Sequence, residues 1–149
     1  MSSTRTRMFS TTTLRLVTCA GAALAIAAPS GLTAQAFRTD AGFTANNLSR
    51  TDDGFTGTAQ SLGFTANFFG ANGGSSTGVF VSNNGFITFN SGDGTYTPYG
   101  LTGAVSQPII APFFADVDTD NPLSAITTWG TSTIDGHNAF GVDWNGVGR

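Results

Sequence analysis

The densest run of charge in this chain is Asp116-Val117-Asp118-Thr119-Asp120-Asn121. Alternate aspartates on extended backbone project to one side, and hard carboxylate oxygens at that spacing suit calcium. Asp116, Asp118 and Asp120 are therefore the candidate metal ligands, and one weakly held calcium ion is the only cofactor they suggest. The run is not an EF-hand loop. Its sixth position is Asn121, where that loop needs glycine, and its twelfth is Thr127, where it needs a bidentate glutamate. A structural role competes with metal binding: Asp118, Asp120 and Asn121 can cap the turns leading to Pro122 by accepting from backbone N–H groups.

Other catalytic chemistry finds little material. His137 is the only histidine and lies between Asp135-Gly136 and Asn138, a turn context that predicts a solvated side chain. Gly74-Ser75-Ser76-Thr77-Gly78 has the G-x-S-x-G spacing but leads into the β-rich Val79-Phe80-Val81 and not into a helix, so no serine sits in a nucleophile elbow and a Ser-His-Asp arrangement has no nucleophile of that kind. A zinc site would need further His or Cys ligands. Nine aspartates give chance opportunities for a glycosidase-like carboxylate pair, but pairing alone carries no assignment. No enzymatic activity is expected.

The aromatic residues offer a binding surface instead. Tyr96 and Tyr99 flank Thr97-Pro98 in a glycine-rich stretch and are expected to be exposed, which makes them candidate ligand contacts. Trp129 and Trp144 could also stack on sugar rings. Trp144, however, alternates with Val142 and Phe140, a spacing that predicts core packing.

The elements that must position these residues belong to an exported chain. Arg5, Arg7 and Arg15 precede an apolar run from Leu16 to Ala28, and Ala34-Gln35-Ala36 supplies a small-x-small exit. Those are the three parts of a secretory signal, so residues 1–36 are read as a signal peptide cleaved after Ala36. The apolar run falls short of the about 20 residues a membrane span requires. Leu16-Val17-Thr18-Cys19 resembles a lipobox only faintly, because its cysteine precedes most of the apolar core. The mature chain then has no cysteine, no transmembrane segment and three arginines against nine aspartates. It has no basic stripe with which to hold a phosphate backbone, which excludes nucleic acid.

Past the signal, helix-forming vocabulary is scarce and β-rich runs alternate with turn clusters. Strands are predicted at 62–69, 78–82, 85–90, 109–115, 125–129 and 139–144. Asn84-Gly85 between two such runs predicts a hairpin with a type I′ turn, in which both central residues take φ > 0. Pro108 and Pro112 place Ile109-Ile110 at an edge or bulge. Residues 37–59 read as a lead-in segment or an edge strand, and 60–149 as one β domain. Gly42-Phe43-Thr44-Ala45-Asn46 recurs as Gly63-Phe64-Thr65-Ala66-Asn67, too little to establish a repeat. The fold class expected is all-β, an antiparallel β-sandwich.

Four motifs carry a family resemblance. They are Phe68-Phe69-Gly70, the stretch from Val79 to Phe89 (VFVSNNGFITF), Pro108 to Thr119 (PIIAPFFADVDT), and Ala139 to Gly148 (AFGVDWNGVG). In this order and spacing the chain resembles the nidogen-like (NIDO) domain over about residues 60–149, in the setting of a bacterial secreted protein. The family pattern continues beyond the Val147-Gly148 motif to at least one more strand. The resemblance therefore implies a sandwich lacking its C-terminal part. It also implies a non-catalytic, extracellular adhesion or matrix-associated module, with a matrix or cell-surface protein or glycan as partner. A carbohydrate-binding β-sandwich is the alternative.

Overall fold

The structure is a computed structural model and describes residues 38–68 and 74–148. The expected signal peptide lies outside the described residues. A 3-10 turn, Ala41–Thr44, is followed by seven strands: β1 Asn46–Asn47, β2 Gln60–Ala66, β3 Ser76–Val81, β4 Ile87–Thr88, β5 Ile109–Ile110, β6 Thr128–Ile134 and β7 His137–Asp143. They form two antiparallel sheets, of order β1-β6-β7 and β2-β3-β4-β5. The expected all-β sandwich is thus what the chain forms. No helix among the described residues is long and apolar enough to cross a membrane.

Period-2 burial joins the two sheets. Leu62 of β2, Val79 of β3 and Phe89 form a buried cluster, against which Phe64, Ala66, Phe68, Ile87 and Phe140 pack. Phe140 comes from β7 and so brings the three-stranded sheet onto the four-stranded one. Phe68 and Phe89 stack with ring centroids 4.8 Å apart. The β2-β3 register shifts between Ser61 and Ala66. Gly63 lies in that irregular stretch at φ 76°, a conformation in which a Cβ would be strained.

The strand boundaries differ from expectation where apolar alternation is weak. β6 runs to Ile134 through Gly130-Thr131-Ser132-Thr133, and its start at Thr128 overlaps the expected 125–129 by only two residues. It forms because every residue from Thr128 to Ile134 pairs with β7. The run expected from Ile109 to Ala115 is a strand only at Ile109–Ile110. Pro112 has no N–H to donate, and Phe114 turns the backbone to φ 24°.

The two hairpins also divide the turn chemistry in an unexpected way. Ile134 pairs directly with His137, leaving a two-residue turn of Asp135 (φ 51°) and Gly136 (φ 81°). That is where both central residues have positive φ, as a type I′ turn requires. The β3-β4 hairpin is present as expected, but its last pair is Val81 with Ile87. The turn therefore spans Ser82 to Phe86, closed by Ser82 N–H to the Phe86 carbonyl at 3.0 Å, and only Gly85 has positive φ (82°). The I′ expectation fails here because both asparagine side chains point inward to buried partners.

A Cβ at Gly85 would stand 2.6 Å from the Phe113 ring. Phe113 is 43% exposed and can swing away, so most of the cost of Gly85→Val is the backbone strain of a β-branched residue at positive φ. We expect a loss of about 1–2 kcal/mol in urea denaturation; an unchanged midpoint would contradict this.

Candidate functional site

Asn83 and Asn84, at the end of the β3-β4 hairpin, are both 0% exposed. The two amides are buried beside an apolar group of Phe86, Phe114 and Val117, in which Phe86 and Phe114 pack at 4.8 Å. Burial without hydrogen bonds would cost each amide several kcal/mol, roughly, and the surrounding segments supply most of those bonds. Asn83 Nδ2 contacts the carbonyls of Thr51 at 3.2 Å, Val117 at 2.5 Å and Asp52. Asn84 Oδ1 accepts from Val117 N–H at 2.8 Å, and its Nδ2 donates to Asp53 Oδ1 at 3.0 Å. The same Nδ2 lies 3.5 and 3.4 Å from the carbonyls of Gly94 and Thr95.

Backbone bonds complete the junction. Residues 54–56 run beside the end of β3 through Thr56 N–H to the Val81 carbonyl and Asn83 N–H to the Gly54 carbonyl. Ala115 N–H reaches the Asn84 carbonyl, and Thr119 N–H reaches the Thr51 carbonyl. Thr119 is itself buried, and its hydroxyl both donates to the Thr51 carbonyl and accepts from Thr51 N–H. Trp144 anchors the other sheet here, its Nε1 donating to the Ser82 carbonyl at 2.8 Å.

This architecture draws together Asp52, Asp53 and Asp116, with one carboxylate oxygen from each within 4.8 Å of the others. Asp52 and Asp53 are exposed and Asp116 is half-buried. Asp118 and Asp120 lie on the flank of this triple. Asp118 Oδ1 accepts from Asp120 N–H at 2.8 Å, and Asn121 Oδ1 accepts from Leu123 N–H at 3.0 Å, both of them turn caps. Sequence reasoning singled out Asp116 but missed Asp52 and Asp53. They sit in a stretch without strand periodicity, and non-local bonds from the Asn83–Asn84 turn and from Thr119 to Thr51 bring them across.

Asp52 titrates above the ordinary carboxylate range, first because the surrounding chain displaces water and then because Asp53, Asp118, Asp116 and Asp120 repel its charge. A raised folded-state value means that ionised Asp52 opposes folding at neutral pH. That opposition fades as pH falls through the raised value towards the unfolded one.

The remaining candidates are placed as follows. Tyr96 and Tyr99 are 53% and 36% exposed, as expected, and Tyr99 also meets Phe114 edge-on at 5.2 Å. Burial and nearby Asp93 push the Tyr99 phenol upwards. Trp129 is 6% exposed with Nε1 donating to Gln60 Oε1, so it belongs to the core. Trp144 is half-buried and meets the exposed Phe113 edge-on at 5.8 Å, so it lies at the margin of the core rather than within it. His137 is exposed at the tip of the β6-β7 hairpin and takes no part in the carboxylate triple.

The described residues form a small two-sheet β domain with an acidic loop junction. The chain belongs to the NIDO-related family, whose model matches residues 31–149. That match begins well before Phe68, the first motif of the resemblance. Searches of curated proteins and of solved structures gave no match.

Proposed function

We propose that the chain is a non-catalytic, extracellular adhesion or matrix-associated module, exported by a signal peptide cleaved after Ala36. The observation that carries this reading is the family match over residues 31–149. Composition supports it. The donors of the described acidic junction are oxygen atoms, suited to ions and hydrogen bonds, and nothing there could act as a nucleophile with an adjacent imidazole base. The partner is a protein or glycan of a matrix or cell surface.

A glycan-binding reading has one specific observation in its favour: Tyr96 presents its ring to solvent on a loop tethered, through Thr95, to the buried Asn84. An aromatic held on an anchored loop offers a stacking surface at low entropic cost. Biolayer interferometry of the purified chain against immobilised matrix proteins and a glycan panel tests both readings. We expect saturable binding to at least one surface. Under the glycan reading Tyr96→Ala weakens it about tenfold or more, and under the protein reading it leaves glycan surfaces unbound throughout. Hydrolysis of any glycan or peptide on the panel would overturn the non-catalytic assignment.

A further inference from the structure

The two sheets end in four edge strands, β1 and β7 on one and β2 and β5 on the other. An edge strand offers backbone N–H and C=O groups to any other extended chain, and natural sheets blunt such edges. Three of these edges are blunted. β1 and β5 are two residues long, and β5 lies between Pro108 and Pro112. β2 breaks its register between Ser61 and Ala66, with Gly63 at φ 76°. β7 has none of these devices. Its seven residues, His137–Asp143, pair with β6 without a bulge and include neither proline nor lysine.

The β6-β7 turn fixes which groups of β7 point away from β6. Ile134 and His137 close a two-residue turn, so this pair exchanges both of its backbone bonds. Alternation then directs His137, Ala139, Gly141 and Asp143 to β6 and turns the N–H and C=O of Asn138, Phe140 and Val142 outward. No other segment among the described residues takes up those outward groups. Side chains alternate as well. Phe140 packs against the core cluster, and Asn138 Nδ2 reaches the Gly63 carbonyl at 3.5 Å, both towards β2. Gly141 lies beneath the Phe43 ring on the opposite face, which His137, Ala139 and Asp143 share.

This edge is complementary to itself. Antiparallel pairing about a twofold axis at Phe140 uses every residue of the strand and sets each side chain opposite one on the same face. Asn138 meets Val142 of the second copy, Phe140 meets its own counterpart, and the small Ala139 and Gly141 meet each other. At both ends His137 falls opposite Asp143, an imidazole against a carboxylate. Asp143 Oδ1 accepts from Asn145 N–H at 2.7 Å, which leaves Oδ2 to accept from the imidazole. A slip of one residue would set core-facing side chains against outward-facing ones, and a slip of two would lose the His137–Asp143 contacts.

We propose that two copies of this chain pair along β7 in that register, joining their three-stranded sheets into one continuous sheet. The interface is isologous and closed, so it makes a dimer and not a polymer. The inference goes beyond the adhesion reading and holds whichever surface the module binds.

Sedimentation velocity of the purified chain from about 1 to 200 µM, a window that captures micromolar association, is expected to show a reversible monomer–dimer equilibrium. His137→Asp sets like charges against each other at both ends of the interface and should weaken the dimer about tenfold or more. Adding Asp143→His exchanges the two partners and should restore most of the loss. The register is read by the double variant His137→Cys, Asp143→Cys in a Cys19→Ser background, which removes the only natural cysteine. Opposed side chains of such a pair have Cβ atoms about 4.5 Å apart, within reach of a disulfide. The two ends of one strand lie roughly 20 Å apart. Mild oxidation should therefore link two copies of the double variant and of neither single variant. In the wild type, the N–H groups of Asn138, Phe140 and Val142 should exchange more slowly as concentration rises, a readout that needs no substitution. A monomer throughout, the result expected if the edge instead receives a strand of another protein, overturns the proposal. So does association that His137→Asp leaves unchanged, or a double variant that forms no disulfide-linked dimer.

Discussion

Gly130→Ala is expected to lower the melting temperature by about 10 °C or more, although it adds a single methyl group. Gly130 and Gly141 face each other across β6 and β7. The 3-10 turn Ala41–Thr44 crosses directly over this pair, so a Cβ at Gly130 would overlap the Gly42 carbonyl oxygen and one at Gly141 would overlap the Phe43 ring. A ring can rotate aside, but a carbonyl fixed in the backbone cannot. The turn is held in place by Asp40, whose carboxylate accepts from Gly42 N–H at 2.9 Å, and by the burial of Phe43. Relief therefore requires the turn to lift and Phe43 to leave its site. Overpacking of this kind costs about 3 kcal/mol, and a domain of this size loses roughly 4 °C per kcal/mol. Gly141→Ala should cost less because the Phe43 ring can yield. Equal melting temperatures for Gly130→Ala and wild type would show that the turn does not pack as described.

Asn84→Leu is expected to be the most damaging substitution outside the glycines, at about 3–4 kcal/mol. The replacement is similar in size, so volume alone would be tolerated. Hydrogen bonding is what it removes. Val117 N–H, buried at 2.8 Å from Asn84 Oδ1, would lose its acceptor, and an unsatisfied buried donor costs about 1–3 kcal/mol. Asp53 would lose the Nδ2 donor that holds its carboxylate, and the carbonyls of Gly94 and Thr95 would lose theirs. Asn84→Asp keeps an acceptor for Val117 but places a further charge against Asp53, so it should also destabilise, and more at pH 7 than at pH 4. Urea denaturation at the two pH values measures both effects. A cost below about 1 kcal/mol for Asn84→Leu would mean that the turn is not a structural junction.

The residues explain why the architecture was legible and the junction was not. Val79, Val81, Phe140 and Val142 alternate along β3 and β7, and Pro108 and Pro112 confine the strand between them to an edge. Asp135-Gly136 announces its turn locally. β6 was half hidden because Thr131, Ser132 and Thr133 carry no apolar signal; cross-strand pairing with β7, a non-local fact, makes them a strand. β1 is two asparagines bonded to Thr128 and Trp129 and has no periodicity to detect. The candidate site divides in the same way. Asp116 stood out through its neighbours at Asp118 and Asp120, whereas Asp52 and Asp53 join it through the non-local bonds of the Asn83–Asn84 turn and of Thr119 with Thr51. Asn84-Gly85 suggested a tight two-residue hairpin turn, and nothing local marks its asparagines as buried, since that residue is usually exposed. Here strand pairing stops at Val81 and Ile87, and the two amides turn inward to bind carbonyls that would otherwise be unsatisfied.

The claim on which the site rests is that Asn83 and Asn84 clamp three chain segments into one junction, and amide hydrogen exchange measures this directly. Val117 N–H bonds to a side-chain oxygen, and Asn83 N–H bonds to the Gly54 carbonyl. Neither lies within a paired strand, yet both should exchange only on global unfolding, as slowly as the amides of β3. Exchange of Val117 N–H within seconds at neutral pH, with β3 still protected, would contradict the clamp and the carboxylate site built on it.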